Sequence, residues 1–310
     1  MKVITLTLCP AFDVHCDAPA FSPFSECFAT RTSRDAGGKG VNISRALKVG
    51  GVDNVAFVVL GEENADEFRE VLAAEGLETS ELVVGGRIRE NLTLHTRDRE
   101  TRISFAGFSA DETLLLRLEE KLLPLLEEDV VVTLTGRIPD GIAPGAVKAF
   151  LSRLRMRGVR TVIDSKSFLL SDVIECRPWL IKPNEEEISQ YLGKRVDTLE
   201  DALSAARGLS AKGIENVMIS LGGEGAVLSS AEREFFARAP KIEVRSTVGA
   251  GDSAIAGFLT ATARGASKSE ALRLSVAFGS AACLTLGTQA PCIADIETLF
   301  CRVCAEHVSL

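Results

Sequence analysis

Ser246-Thr247-Val248-Gly249-Ala250-Gly251-Asp252-Ser253 opens directly into the apolar run Ala254-Ile255-Ala256-Gly257-Phe258-Leu259. The pattern predicts a glycine turn feeding a helix that ends at Gly265, a residue suited to a helix C-cap. Backbone N–H groups in the first turn of such a helix have no intrahelical partner, and the dipole adds roughly half a positive charge. The turn is therefore an anion cradle suited to a phosphate. Asp252 beside it is the odd residue, because a carboxylate repels a phosphate. A pure binding loop gains nothing from it; a phosphoryl-transfer enzyme gains a base that takes the proton of an attacking hydroxyl. Two other readings fit these residues taken alone. Gly249-x-Gly251-x-x-Ala254 is also a weak dinucleotide fingerprint, although it lies late in the chain and turns Asp252 toward the pyrophosphate. Asp252 is equally an ordinary helix-capping residue type.

Outward from this stretch, strand-like and helix-like segments alternate along most of the chain. That alternation predicts an α/β fold with a mostly parallel sheet covered by helices on both faces. Strands are expected at residues 2–8, 55–60, 130–134, 159–163, 180–181 and 217–221, and helices after Gly37-Gly38 and over residues 63–74. Ser109-x-x-Glu112 and Ser267-x-x-Glu270 read as capping boxes of two further helices. Residues 13–35 break the alternation, as do 91–96 and 101–105, which flank the charged turn Arg97-Asp98-Arg99-Glu100. These pieces are expected to form a small accessory sheet that serves as a lid or a subunit contact. With no internal repeat and no low-complexity linker, the expectation is one domain over residues 1–310, with lid strands from about 13–35 and 89–106.

The chain has 310 residues, 46% of them apolar and 25% charged, and a formal net charge of −8. It is long enough for one large α/β core. The acidic balance argues against nucleic acid and anionic membrane surfaces as partners, so a small anionic substrate needs a local basic pocket. No apolar run reaches the length of a membrane span, and the first residues read as a buried strand rather than a signal segment, which gives a cytoplasmic protein as the expectation. The eight cysteines are scattered apart from Cys301-x-x-Cys304. A single such pair is a poor zinc signal, and reduced thiols are expected.

In open α/β sheets ligands bind beyond the carboxyl ends of the strands. Asp13, Gly37-Gly38, Gly136-Arg137-Ile138-Pro139, Asp164, Lys182-Pro183-Asn184 and Gly222-Gly223 are all expected to leave those ends. Together with Asp35-Ala36-Gly37-Gly38-Lys39-Gly40-Val41-Asn42, Arg89-Glu90-Asn91, the run 180–187, the run 220–226 and the opening motif, they make the chain resemble the PfkB (ribokinase-like) family of carbohydrate kinases. The resemblance spans essentially the whole chain. It is closest to the branch of 1-phosphofructokinases and tagatose-6-phosphate kinases.

The resemblance implies a ribokinase-like three-layer α/β/α fold with a small β-sheet lid, ATP and Mg²⁺ as cofactors, a sugar or sugar phosphate as substrate, and a homodimer formed through the lid sheet. It implies Asp252 as general base, worth about 10²–10⁴ in rate, with Gly249, Ala250 and Gly251 as the anion hole. Asp13, Gly37, Gly38 and Asn42 fall to the sugar, and Lys39, Arg89 and Arg137 to a substrate phosphate. Lys182, Asn184, Ser220, Gly222, Gly225 and Thr247 fall to the nucleotide, with Gly287 and Thr288 beside the adenine. Asn184 and Glu187 are the implied Mg²⁺ residues, holding it through water because Mg²⁺ dehydrates reluctantly; the same pair also reads as a helix capping box.

The motif Leu8-Cys9-Pro10-Ala11-Phe12-Asp13 also resembles the branch, which usually has an asparagine before the proline. Three departures lie on the substrate side, the first being Arg137 where a serine helps to hold the sugar phosphate. Arg137 either adds a charge there or fills the site. Ser104-Phe105-Ala106-Gly107 replaces a more polar stretch, and residues 25–31 lack a clear glycine and an aligned basic residue. The expected activity is thus ATP-dependent phosphorylation of fructose 1-phosphate, fructose 6-phosphate or tagatose 6-phosphate. The alternatives are a kinase of an unphosphorylated sugar or polyol and a binding protein that has lost catalysis.

Overall fold

The computed structural model describes residues 1–308 apart from 23, 98, 127, 231 and 232, so Pro23 and Asp98 of the accessory segments lie outside the described residues. The strands in chain order are β1 (Lys2–Thr7), β2 (Ala11–Asp17), β3 (Thr30–Gly37), β4 (Asn54–Gly61), β5 (Thr79–Val84), β6 (Arg89–His95), β7 (Glu100–Ser104), β8 (Val130–Thr135), β9 (Arg160–Asp164), β10 (Leu180–Ile181), β11 (Asn216–Ser220), β12 (Gly225–Ser230), β13 (Glu234–Arg238) and β14 (Ala305–His307). The helices are α1 (Lys39–Val49), α2 (Ala65–Ala74), α3 (Thr113–Leu122), α4 (Pro144–Met156), α5 (Leu170–Cys176), α6 (Glu185–Leu192), α7 (Leu199–Ser210), α8 (Ala250–Ala263), α9 (Lys268–Ala282) and α10 (Ile293–Phe300).

Ten strands form the main sheet in the order β14-β13-β12-β11-β10-β9-β8-β1-β4-β5. From β5 across to β11 every pairing is parallel. The remaining edge, β12 to β14, is antiparallel. The sheet is mostly parallel, as expected, and its antiparallel edge is a feature that local periodicity did not reveal. Two buried clusters cover the two faces. Ile4, Leu6, Val132 and Leu134 pack with Phe68, Leu118, Phe150 and Leu203 on one side. Val3 and Val131 pack with Leu47, Phe258, Leu272 and Phe278 on the other. Side chains that alternate across each strand thus feed separate layers.

The capping box at Ser267 and Glu270 forms, with both reciprocal bonds present. The one expected at Ser109 and Glu112 does not: α3 begins at Thr113, and Asp111 Oδ1 accepts from Thr113 N at 2.9 Å. Ser109 is drawn instead into a backbone bridge with Asp140. No helix among the described residues is long and apolar enough to cross a membrane. All eight cysteines are free.

The small sheet has the order β3-β2-β6-β7. Its central strand β2 pairs antiparallel with β3 and parallel with β6, which brings Asp35 and Asn91 alongside Asp13. Asp13 therefore belongs to the small sheet and not to a strand exit of the main one. Phe24, Phe28, Ile103 and Phe105 are exposed along and beside this sheet.

Candidate active site

Thr7 at the end of β1 explains the glycines that start α1. A Cβ on Gly38 would lie 2.5 Å from Thr7 Cγ2, and one on Gly40 would lie 2.4 Å from Thr7 Oγ1 and 2.8 Å from the Leu6 carbonyl. Only glycine lets the helix settle this close to the strand. That docking carries Lys39 and Asn42 over the ends of β1 and β8.

The α8 N-terminus is built in the same way. Gly249 takes a left-handed conformation with φ 78°, and Ala250 begins the helix. Ala250 N–H donates to the Thr247 carbonyl at 3.3 Å and Ser253 N–H to the Gly249 carbonyl at 2.9 Å. Among the described residues, the amides of Gly251 and Asp252 make no such bond with the backbone of this turn. They are the donors open to an anion. Lys182, only 5% exposed, follows β10 and lies beneath them: a Cβ on Gly251 would sit 2.9 Å from its Nζ. A buried ammonium beside a helix N-terminus concentrates positive potential at one spot.

Asp252 is 5% exposed and accepts a 2.8 Å bond from Asn42 Nδ2. Asn42 Oδ1 in turn accepts from Arg45 at 3.1 Å, and Arg45 is clamped by both Glu75 oxygens at 2.7 Å. Burial lifts the Asp252 carboxyl from the ordinary 3.8 to about 6, with the like charge of Asp164 adding to the rise and Lys39, Asn42 and Lys182 opposing it. Asp164, at the end of β9, sits between two lysines, with Lys39 Nζ at 3.0 Å and Lys182 Nζ at 3.9 Å from its Oδ2. Burial pushes Asp164 upward, yet the Lys182 and Lys39 ammonium groups outweigh it and hold its carboxyl below the usual range. Burial likewise opposes charge on Lys39, but Asp164 and Asp252 keep its pKa above the usual lysine value.

Two cavities adjoin this centre, one through Lys39 and one through Lys182, and a third lies under the small sheet. One of about 730 Å³ collects Lys39, Arg89, Arg137 and Lys166 with Gly38 and Gly136 on its walls. Lys39, Arg89 and Arg137, the three cations expected to serve a substrate phosphate, thus converge. Arg137 is half-exposed and tied to Asp140 at 2.8 Å. Arg89 donates to Asn91 Oδ1 at 3.2 Å, while its buried Nε has no partner among the described residues. Lys166 and Ser167 also line this cavity. Sequence reading passed over both, and a basic residue two positions past the Asp164 strand exit was the available signal.

A second cavity of about 430 Å³ is lined by Lys182, Asn184, Ser220, Gly222, Gly225, Thr247, Ala250 and Gly251, closed by apolar and small residues such as Met218, Val276 and Cys283. A flat heteroaromatic base and a phosphate chain suit such walls. Gly287 and Thr288 are not among them. They border a third cavity of about 820 Å³ with Asp13, His15 and Thr247, facing the small sheet. Asp13 is anchored there by a 2.8 Å bond from Asn91 Nδ2. Gly37 leaves that carboxylate its place, because a Cβ there would fall 2.1 Å from Asp13 Oδ2.

Asn184 caps α6: its Oδ1 accepts from Glu187 N at 2.8 Å, and Glu187 Oε2 accepts from Asn184 N at 3.1 Å. The capping-box reading is therefore realised. It leaves Glu187 Oε1 directed at Lys166 Nζ, 3.5 Å away. Among the described residues no three His, Cys, Asp or Glu side chains converge as a metal cage.

Residues 20–295 match the model of the pfkB family carbohydrate kinases. The chain is 33% identical over 282 residues to the 1-phosphofructokinase of Escherichia coli strain K12, covering 91% of this chain and 90% of that protein. It is 32% identical over 289 residues to the 1-phosphofructokinase of Bacillus subtilis strain 168, covering 93% and 95%. Its fold superimposes on the crystal structure of phosphofructokinase-2 from Escherichia coli in complex with substrates and products, with a TM-score of 0.91 at 27% identity, covering 97% of this chain and 99% of that one.

Proposed function

The chain belongs to the pfkB family of carbohydrate kinases, with their ribokinase-like fold, and from that premise we propose that it uses ATP to phosphorylate a hydroxyl of a ketohexose phosphate. The observation that carries the reading is Asp252. Its carboxyl, raised to about 6, is a stronger base than an ordinary aspartate and still ionised at neutral pH. It stands in the first turn of α8, where the Gly251 amide and the Lys182 ammonium await negative oxygen.

In the proposed reaction Asp252 takes the proton of the substrate hydroxyl as its oxygen bonds to the γ-phosphorus. The bond from phosphorus to the β,γ-bridging oxygen breaks, and ADP leaves with that electron pair. The turn of Gly249, Ala250 and Gly251, with Lys182, meets the charge on the transferring group. Asn42 and its Arg45–Glu75 support fix the carboxylate. Asp13, Gly37 and Gly38 position the sugar, and the 430 Å³ cavity takes the nucleotide. Mg²⁺ fits beside Asn184 and Glu187, whose oxygens keep lone pairs beyond the capping box; with one carboxylate and no cage it would be held largely through water and phosphate, where it would neutralise phosphate charge.

Lys39, Arg89 and Arg137 around one cavity favour a substrate that carries its own phosphate. The identity to two 1-phosphofructokinases puts fructose 1-phosphate first, ahead of fructose 6-phosphate and tagatose 6-phosphate. A second reading, a kinase of a free sugar or polyol, is favoured by one observation: Asp140 already neutralises Arg137. A panel of phosphorylated and free sugars with MgATP, scored by kcat/KM, decides between them. Highest turnover on fructose 1-phosphate is expected; preference for a free sugar would select the second reading, and no turnover on any would remove both.

The small sheet is proposed to close over the sugar as a lid, which excludes water from the transfer. Exposed Phe24, Phe28, Ile103 and Phe105 support a homodimer joined through that sheet. Light scattering is expected to give the mass of two chains; a single-chain mass at working concentration would contradict it.

A further inference from the structure

Lys166 has no part in the scheme above, yet the fold takes trouble to place it. β9 ends at Asp164, and the next residues are stitched to the turn after β8. Ser165 Oγ donates to the Gly136 carbonyl, Ser167 N–H donates to Ser165 Oγ at 3.2 Å, and Ile138 N–H donates to Ser167 Oγ at 3.2 Å. A backbone held at both walls of the cation-lined cavity therefore carries a lysine whose side chain is 75% exposed. The flanking serines thus fix the backbone from which the Lys166 side chain starts.

The cations of that cavity differ in how firmly they are held. Arg137 is 2.8 Å from Asp140 and Lys39 is 3.0 Å from the buried Asp164. Lys166 is 3.5 Å from Glu187, and its ammonium is the more exposed of the two lysines. Arg89 has no carboxylate partner among the described residues and meets a phosphate dianion without any exchange. Of the three cations that a dianion must draw from a carboxylate, Lys166 has the weakest hold and the least restricted stem. We propose that Lys166 is a further ligand of the substrate's phosphate, held in reserve by Glu187 until the phosphate arrives. The proposal rests on the sugar-phosphate reading of this cavity. It makes Glu187 a competitor of the ligand for the same ammonium.

The test is isothermal titration of the full-length chain with fructose 1-phosphate, and separately with inorganic phosphate, in the absence of nucleotide and divalent metal. Lys166→Met is expected to weaken fructose 1-phosphate binding about tenfold, the loss of one charge-assisted contact. Lys166→Arg, which keeps the charge, is expected to restore most of it. Glu187→Gln preserves an acceptor for Asn184 N–H and frees Lys166, so it is expected to tighten binding by up to about fivefold. That gain is expected to vanish in the Lys166→Met background. Unchanged affinity in Lys166→Met would overturn the proposal, and so would an equal Glu187→Gln effect in both backgrounds. A parent chain that binds neither ligand would remove the phosphate reading of the cavity and this proposal together. Binding without turnover would remove only the kinase assignment and leave the Lys166 comparison readable.

Discussion

The two cavities beside Asp252 are made of different materials. The smaller has glycine and alanine at Gly222, Gly225, Ala250 and Gly251, where backbone is open to a ligand, with Lys182 as its buried cation. The larger is walled by Lys39, Arg89, Arg137 and Lys166, long side chains brought in from α1, β6, and the loops after β8 and β9. Backbone donors survive substitution so long as the chain can take the required path; side-chain donors change with every residue. On the proposed reading, transfer then depends on the path of the chain around Asp252 and the choice of acceptor on the four cations.

The sharpest way to break the contrast is to leave both cavities intact and remove the group between them. Asp252→Asn is expected to lower kcat by about 10²–10⁴ with nucleotide affinity preserved. A chain whose function is binding alone would lose nothing. The same substitution is expected to leave stability unchanged or raise it. The native state holds the Asp252 proton up to about pH 6, against an ordinary 3.8, so this carboxyl favours folding below 3.8 and that contribution is lost as pH rises through 6. At pH 7.5 the melting temperature of Asp252→Asn should therefore equal or exceed that of the parent, and any advantage should fade toward pH 4. A marked drop at pH 7.5 would mean that Asp252 is a structural cap.

Much of this was legible before the fold was known, and the reasons are local. A glycine turn ahead of an apolar run specifies a helix N-terminus, and Gly249, Gly251 and Asp252 are neighbours in sequence as well as in space. The same holds for Gly37 to Asn42. What escaped reading depends on contacts between distant residues. The antiparallel edge joins β13 to β14 across most of the last third of the chain. Arg45 and Glu75, which hold Asn42 in place, carry no motif that reveals their pairing. Ser109-x-x-Glu112 has the spacing of a capping box, but a tertiary bridge to Asp140 claimed Ser109 first. Gly287 and Thr288 border the cavity under the small sheet, which shares Thr247 with the smaller cavity, and that placement depends on how the small sheet leans over them.

A second substitution should damage one side alone. Gly37→Ala would put a Cβ 2.1 Å from Asp13 Oδ2 and 3.0 Å from the Ala11 carbonyl, so Asp13 must swing away from Asn91. Displacement of a positioning group by about an ångström can lower kcat/KM about a hundredfold. The loss is expected for the sugar, with the KM for ATP unchanged. Equal loss on both sides would mean that the two cavities are mechanically coupled through α1 and would end the comparison.

A smaller effect comes from pH. At saturating substrates kcat is expected to fall about tenfold per unit below pH 6, as Asp252 takes up its proton. Phosphate esters titrate in the same range, so the residual rate of Asp252→Asn is the control. An inflection of the same size in that variant would assign the titration to the substrate.

The smallest expected effect concerns Arg137, and it bears on what the larger cavity accepts. Arg137 is half-exposed and paired with Asp140, so Arg137→Ser should change the KM for fructose 1-phosphate by no more than about fivefold. The direction alone does not give its role, because removing Arg137 also unmasks the Asp140 carboxylate, which repels a phosphate. Asp140→Asn separates the two causes. If Arg137 reaches the phosphate, freeing it from Asp140 lowers KM, and the double substitution returns KM above the parent value. If Arg137 only neutralises Asp140, the double substitution restores the parent value and Asp140→Asn alone changes little. A lower KM in Arg137→Ser itself would mean that the guanidinium occupies space the phosphate needs, and would turn the substrate choice toward a free sugar.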